Sequence, residues 1–284
     1  LKKIKLSKRI ISVIIVGTMI IASMSVLGIK WLFDEFSASA AMTDDLTCDD
    51  TKKAYTINTY EDLVKYSQLY KEGSLSHYEY DVALGNLTGD INVLNNFVSI
   101  GTSENPFKNK IIVAQGSSIN FSLKVPFFDY IYDTSSIVMA DSATDQISNV
   151  TLSRSADGQG ALFANNVLHN TNSDTFAQWS VTADFVRGEN PQYNAFSGII
   201  GTIESKAVVN LIINRAEYGD NNDGKNINIS GSENVGLVCG TMKTGSSLSV
   251  TIQGNPDTTK SYDVKSTSNN AGGFVGEMES NSVL

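Results

Sequence analysis

Two histidines, two cysteines and a scatter of acids carry whatever chemistry this chain could perform. His77 and His169 lie in different regions, and each reads as a surface residue rather than a catalytic base. The sequence holds no His-Glu-x-x-His zinc motif, no Gly-x-Ser-x-Gly elbow and no phosphate loop. An acid pair is the remaining route to catalysis, since glycoside hydrolysis needs two carboxylates on one site. Asp141, Asp145, Asp157, Asp174, Asp184 and Asp263 have the right type but are scattered. They read mostly as solvated charges or turn residues, so no catalytic residue is assigned. Gly219-Asp220-Asn221-Asn222-Asp223-Gly224 concentrates oxygen ligands between flexible glycines. Asp220, Asn221 and Asp223 there suit calcium, a hard cation that takes oxygen ligands. The loop departs from the EF-hand pattern, with Gly219 at the first ligand position and Ser230 at the twelfth. A polar turn is the competing reading, because Asp and Asn favour turns for backbone reasons alone. No other cofactor is expected. Cys48 and Cys239 are far apart in sequence, which does not show whether they meet, and two cysteines are too few for a disulfide framework. Cys239 reads as a small core residue rather than a nucleophile. Cys48, after Leu46-Thr47, is a poor match to a lipid-attachment site.

The elements that would position these residues repeat. Four stretches line up: Gly160-Ala161-Leu162-Phe163-Ala164, Ser197-Gly198-Ile199-Ile200-Gly201, Gly236-Leu237-Val238-Cys239-Gly240 and Gly272-Gly273-Phe274-Val275-Gly276. Their fifth positions, Ala164, Gly201, Gly240 and Gly276, are 37, 39 and 36 residues apart. Val125-Pro126-Phe127-Phe128-Asp129 is a degenerate earlier copy, with Asp129 lying 35 residues before Ala164. A second apolar run follows three copies, at 179–183, 207–213 and 248–252. A third follows two of them, at 227–230 and 262–266. All are short and β-branched, with Gly, Asn, Asp and Ser between, which reads as strands and turns. Helical repeats of similar period would show helix-spaced apolar faces instead. One such unit cannot bury its apolar side alone, whereas stacked units share a continuous core. The expected fold is all-β, a parallel β-helix (β-solenoid), with small residues at tight corners.

One helix is expected outside the repeats. Thr59 caps it, Glu61 and Asp62 complement its dipole, Leu63, Tyr66, Leu69 and Tyr70 form its apolar face, and Gly73 ends it. Laid across the first coil, it would cover an open strand edge. An ordinary surface helix is the alternative.

Gly272–Gly276, Gly236–Gly240 and Ser197–Gly201 resemble the GLUG repeat of bacterial surface proteins. The segment that often leads into such repeats resembles Ile57–Leu63, Leu84–Ile91, Phe97–Gly101 and Asn105–Lys108. The resemblance spans roughly residues 55–284. Two departures stand out. Ala164 replaces a corner glycine, and 110–116 lacks the usual glycine-rich turn. The resemblance implies an extracellular, adhesin-like β-helical region, sometimes joined to a protease or another catalytic module, with no catalytic residues in the repeats.

The leading segment sets location. Residues 1–9 carry five positive charges and no acid, and Ile10 to Ile29 is uncharged. Twenty such residues match the thickness of a bilayer core at about 30 Å. The positive flank stays inside, so the remainder faces out. Ala38-Ser39-Ala40 offers a cleavage site, so a signal peptide and an uncleaved anchor both fit. Formal charge is −9, with 21 basic and 30 acidic residues, which argues against a nucleic-acid partner. The expected organisation is 1–41 signal or anchor, 42–54 linker, 55–124 capping region and first coils, and 125–284 repeats. The chain starts on Leu1, from a non-standard start codon or as a fragment, and further coils are expected beyond Leu284. The functional expectation is a non-catalytic adhesin-like or structural protein on the outer face of a bacterial envelope. It would contact glycans or proteins of other cells or host matrix. The alternative is a fragment of a surface enzyme: a carbohydrate-active β-helix, or the front part of a surface protease.

Overall fold

Short β-branched runs broken by Gly, Asn and Asp become short strands here, with one α-helix among the described residues. The computed structural model describes residues 46–113, 119–139, 150–154, 160–173, 175–184, 193–194, 198–215, 227–231, 234–253, 262–268 and 270–284. The hydrophobic run 10–29 and the cleavage candidate at 38–40 lie outside them. Among the described residues no helix is long and apolar enough to cross a membrane.

Three five-stranded sheets carry the architecture. The first is ordered Cys48–Asp49, Ala54–Thr59, Asp81–Thr88, Lys110–Val113, Ser136–Met139. Only its first pair is antiparallel. The second runs Ile119–Leu123, Val150–Arg154, Gln178–Asp184, Val208–Arg215, Ser247–Gln253, parallel throughout. The third, the repeat sheet, runs Phe128–Tyr132, Ala164–Leu168, Ile200–Ile203, Cys239–Met242, Val275–Met278, also parallel throughout. A three-stranded parallel sheet joins Tyr193–Asn194, Ile227–Gly231 and Tyr262–Ser266. Val235–Gly236 pairs with Ala271–Gly272. The stretch 42–54, expected as a linker, is built into the first sheet from Leu46 onward. Leu46 is buried, and Cys48 pairs with Tyr55.

Register in the repeat sheet corrects the alignment of the first copy. Phe128 pairs with Ala164, Ala164 with Ile200, Ile200 with Cys239 and Cys239 with Val275. Asn165, not Ala164, is therefore the counterpart of Gly201, Gly240 and Gly276. The physical reason is burial: Phe128, Ala164, Ile200 and Cys239 form one fully buried column. Ala164 fills a core place, while Asn165 keeps its amide outside. With the slip removed, the spacings become 36, 36, 39 and 36. A second buried column holds Ile131, Val167, Ile203 and Met242, and Phe127, Phe163, Ile199 and Val238 line the approach to it. Each such side chain contributes about 1.5–3 kcal/mol by leaving water. Inward residues sit three apart, as in Ile200 and Ile203, with Gly201 and Thr202 turned outward between them. The strand kinks there and brings its backbone close to the layer below. A Cβ on Gly201 would meet the Asn165 carbonyl oxygen at 2.5 Å.

The helix, α1 (Tyr60–Glu72), forms as its sequence predicts. The Thr59 hydroxyl accepts from the Asp62 amide at 3.0 Å, and the Asp62 carboxylate accepts from the Thr59 amide at 3.1 Å. This reciprocal capping satisfies amides the helix leaves unpaired. Gly73, left-handed at φ 77°, ends the helix, and the Ser74 amide donates to Leu69 O. Leu63, Tyr66, Leu69 and Tyr70 are buried, joined by Val64 and Ser67. From Tyr70 an aromatic chain runs inward through Phe107, Phe128, Phe163 and Trp179, with successive centroids 5.0–6.1 Å apart. Such offset and edge contacts add about 0.5–1.5 kcal/mol each to area burial.

Candidate functional site

A groove of about 550 Å³ lies over the outer face of the repeat sheet. Its floor comes from successive strands. Asn166 pairs with Thr202, and Thr202 with Thr241, so all three stand in one outward column. Gly201 and Asn165 deepen the floor beside them, and Asn234 rises at one end. The other wall is Phe97, Val98, Ser99, Val125 and Pro126, with Lys71 from the last turn of α1. That wall is pinned. The Val98 amide donates to the buried Ser67 hydroxyl at 3.3 Å, Ser99 Oγ donates to Pro126 O at 2.7 Å, and Phe97 stacks on Phe127.

Polar groups in the groove hold one another in place. Asp129 takes the Lys71 ammonium at 2.9 Å on Oδ2 and the Asn165 amide at 3.1 Å on Oδ1. Asn166 Nδ2 donates to the Asp129 carbonyl at 3.3 Å. Asn234 Nδ2 donates to Thr241 Oγ1 at 3.2 Å and to Glu277, while the Asn270 side-chain amide donates to Asn234 Oδ1. The Thr202 hydroxyl has no hydrogen-bond partner among the described residues and faces the groove. Asp129 is the one carboxylate among the described lining residues, and Lys71 neutralises it. Acid–base hydrolysis of a glycosidic bond needs two carboxylates about 5 to 9.5 Å apart. The groove instead offers amides and hydroxyls, which bind by hydrogen bonding.

A second polar cluster sits in the turn after Phe128–Tyr132. Asp133 has no exposed side-chain surface. Its carboxylate accepts from the Asn170 amide at 2.9 Å and the Val208 amide at 3.1 Å, and His169 Nδ1 lies 3.0 Å from Oδ2. The carboxylate thus ties together turns from successive layers. His169, expected at the surface, is half-buried against it. His77 is more open and stacks on Tyr80 at 4.3 Å.

Most of the remaining sequence candidates fall outside the described residues. Asp220, Asn221 and Asp223 lie outside the described residues, as do Asp141, Asp145, Asp157 and Asp174. Asp184 belongs to the second sheet and Asp263 to the three-stranded one. Cys239 is fully buried, and burial pushes its thiol up to about 12. It is a core residue, as its apolar surroundings suggest. Neither cysteine is in a disulfide. Sequence reasoning missed Asp129, Asp133, Asn165, Asn166, Thr202 and Asn234. The column Asn166, Thr202, Thr241 was accessible from the repeat, but the one-residue slip in the first copy hid it. Asp133 carries no local signal, because its partners come from 36 and 75 residues away.

Comparison of the chain with protein-family models, curated proteins and solved structures finds no match.

Proposed function

We propose that this chain is an adhesin-like or structural β-solenoid on the outer face of a bacterial cell, working by contact rather than catalysis. The observation that carries this reading is the parallel ladder of the repeat sheet, in register at 36 to 39 residues over five strands. Successive coils stacked in this way build a stiff rod from short units that could not fold singly. Helix α1, with its aromatic face on the first layers, serves as the cap. The basic residues 1–9 and the uncharged run 10–29 favour export with the repeats outside. The likeness of Ser197–Gly201, Gly236–Gly240 and Gly272–Gly276 to GLUG repeats points the same way. The one carboxylate among the described groove residues, ion-paired with Lys71, weighs against the carbohydrate-cleaving alternative.

The test is display of the full chain on a bacterium that lacks it. Expected are digestion of the repeats by protease added to intact cells, and increased adhesion to host cells, matrix or glycan-coated surfaces. Protection from external protease, or adhesion equal to cells without the chain, would overturn the reading.

A further inference from the structure

We infer that the groove over the repeat sheet is a binding site for a neutral, extended oligosaccharide lying across the strands. This deepens the surface-contact reading and rests on it. The outward column Asn166, Thr202, Thr241 places one hydrogen-bonding side chain on each of three adjacent strands. Adjacent strands are about 4.8 Å apart, close to the rise of one pyranose unit in an extended chain. Over the three strands from Ala164–Leu168 to Cys239–Met242 the column runs about 10 Å, long enough to meet two to three successive sugar units. Amides and hydroxyls suit sugar hydroxyls, which both donate and accept. Val98, Val125 and Pro126 give an apolar wall for the C–H faces of the rings.

Charge selects among glycans. Asp129 and Lys71 cancel as an ion pair, so the described lining residues carry no net charge to draw a uronic acid or sulfated chain. A peptide fits less well. Peptides commonly add as a strand at a sheet edge, through unpaired backbone groups. This groove lies over a sheet face whose strands already pair on both sides.

The probes are chitotetraose and cellotetraose, with tetragalacturonate as the anionic comparison and a flexible Gly-Ser peptide as the polypeptide one, titrated into the full chain. Expected is saturable binding of at least one neutral tetrasaccharide, with neither the anion nor the peptide competing. Thr202→Tyr fills the groove and should weaken binding at least tenfold. Thr202→Val keeps the shape, removes the hydroxyl and should weaken it several-fold. Ser249→Tyr, on an exposed position of the second sheet, should leave binding unchanged. No binding of either neutral probe, binding untouched by Thr202→Tyr, or displacement by the anion or peptide would overturn the assignment. Cell adhesion separates the two readings. If displayed wild-type chain and Thr202→Tyr adhere equally, the groove assignment fails and the surface reading stands. If the glycan binds in the groove but displayed cells do not adhere, the surface reading fails instead.

Discussion

Asp133 shows how one side chain can join layers that are distant in sequence. Its carboxylate accepts from Asn170 N and Val208 N while contacting His169. Asp133→Ala would leave two partly buried amides without this acceptor. Hydrogen bonds to a charged group and the loss of a buried partner together predict about 3 kcal/mol of destabilisation. Urea denaturation of the variant checks this, and a change within error of zero would mean that water replaces the carboxylate. Alkali probes the core from another direction. Burial raises the Cys239 thiol to about 12, and burial with neighbouring tyrosines raises the Tyr66 and Tyr70 hydroxyls. Groups whose pKa is raised on folding stabilise the fold fully below their unfolded values. That contribution is lost as pH rises, starting from the ordinary thiol value of 9.0. The denaturation midpoint should therefore be flat near neutrality and fall above pH 9.0. In native protein at neutral pH, maleimide should modify Cys48, which is exposed, and reach Cys239 only after unfolding.

At the scale of elements, α1 and the turn at Gly101 are the places where a single change does most. Thr59→Ala removes one half of the reciprocal cap and should cost about 1 kcal/mol by thermal denaturation. Leu69→Ala, at a fully buried position of the same helix, should cost about 2–5 kcal/mol, because it also leaves a cavity. A loss at Leu69 no larger than at Thr59 would show that the helix lies loosely on the strands. Gly101 has φ 91°, and a Cβ there would meet the Tyr130 carbonyl oxygen at 2.1 Å. Both strain and contact oppose Gly101→Ala, which should destabilise by about 3 kcal/mol or prevent folding. Its position also matters, since Ile100 bridges to Phe128 at the first strand of the repeat sheet.

For the molecule as a whole, protection should be uneven along the stack. Ala164–Leu168, Ile200–Ile203 and Cys239–Met242 each have a strand on both sides, and Phe128–Tyr132, at one edge, is bridged by Ile100 and Phe107. The last strand, Val275–Met278, has a neighbour on one side, and Phe274 and Met278 are 45% and 44% exposed. A strand paired on one side opens more readily than one paired on both. Amide hydrogen exchange in the full chain should be slowest at Ile200–Ile203 and fastest, among the repeat-sheet strands, at Val275–Met278. Uniform exchange across the five strands would show that the sheet opens as one unit.

Sequence by itself determined that the repeat units become strands, and why. β-Branched runs such as Val208-Val209-Asn210-Leu211-Ile212-Ile213 have no helical apolar face, and polar turns bound them. It also determined α1 from Thr59 to Gly73, because capping, dipole and amphipathic face are all local. The period itself was legible, since each unit presents the same short motif. Tertiary structure decided the register. Asn165 and Ala164 are both compatible with the motif, and only burial of Ala164 beneath Ile200 and above Phe128 settles which faces out. The groove follows from that decision, because a one-residue shift would turn Ala164 outward and put Asn165 in place of Asn166 beside Thr202. Its walls come from Lys71, Val98 and Pro126, residues far from the strands they flank. Asp133 was beyond sequence for the same reason: an acid in a polar turn looks solvated until layers laid over it remove the water.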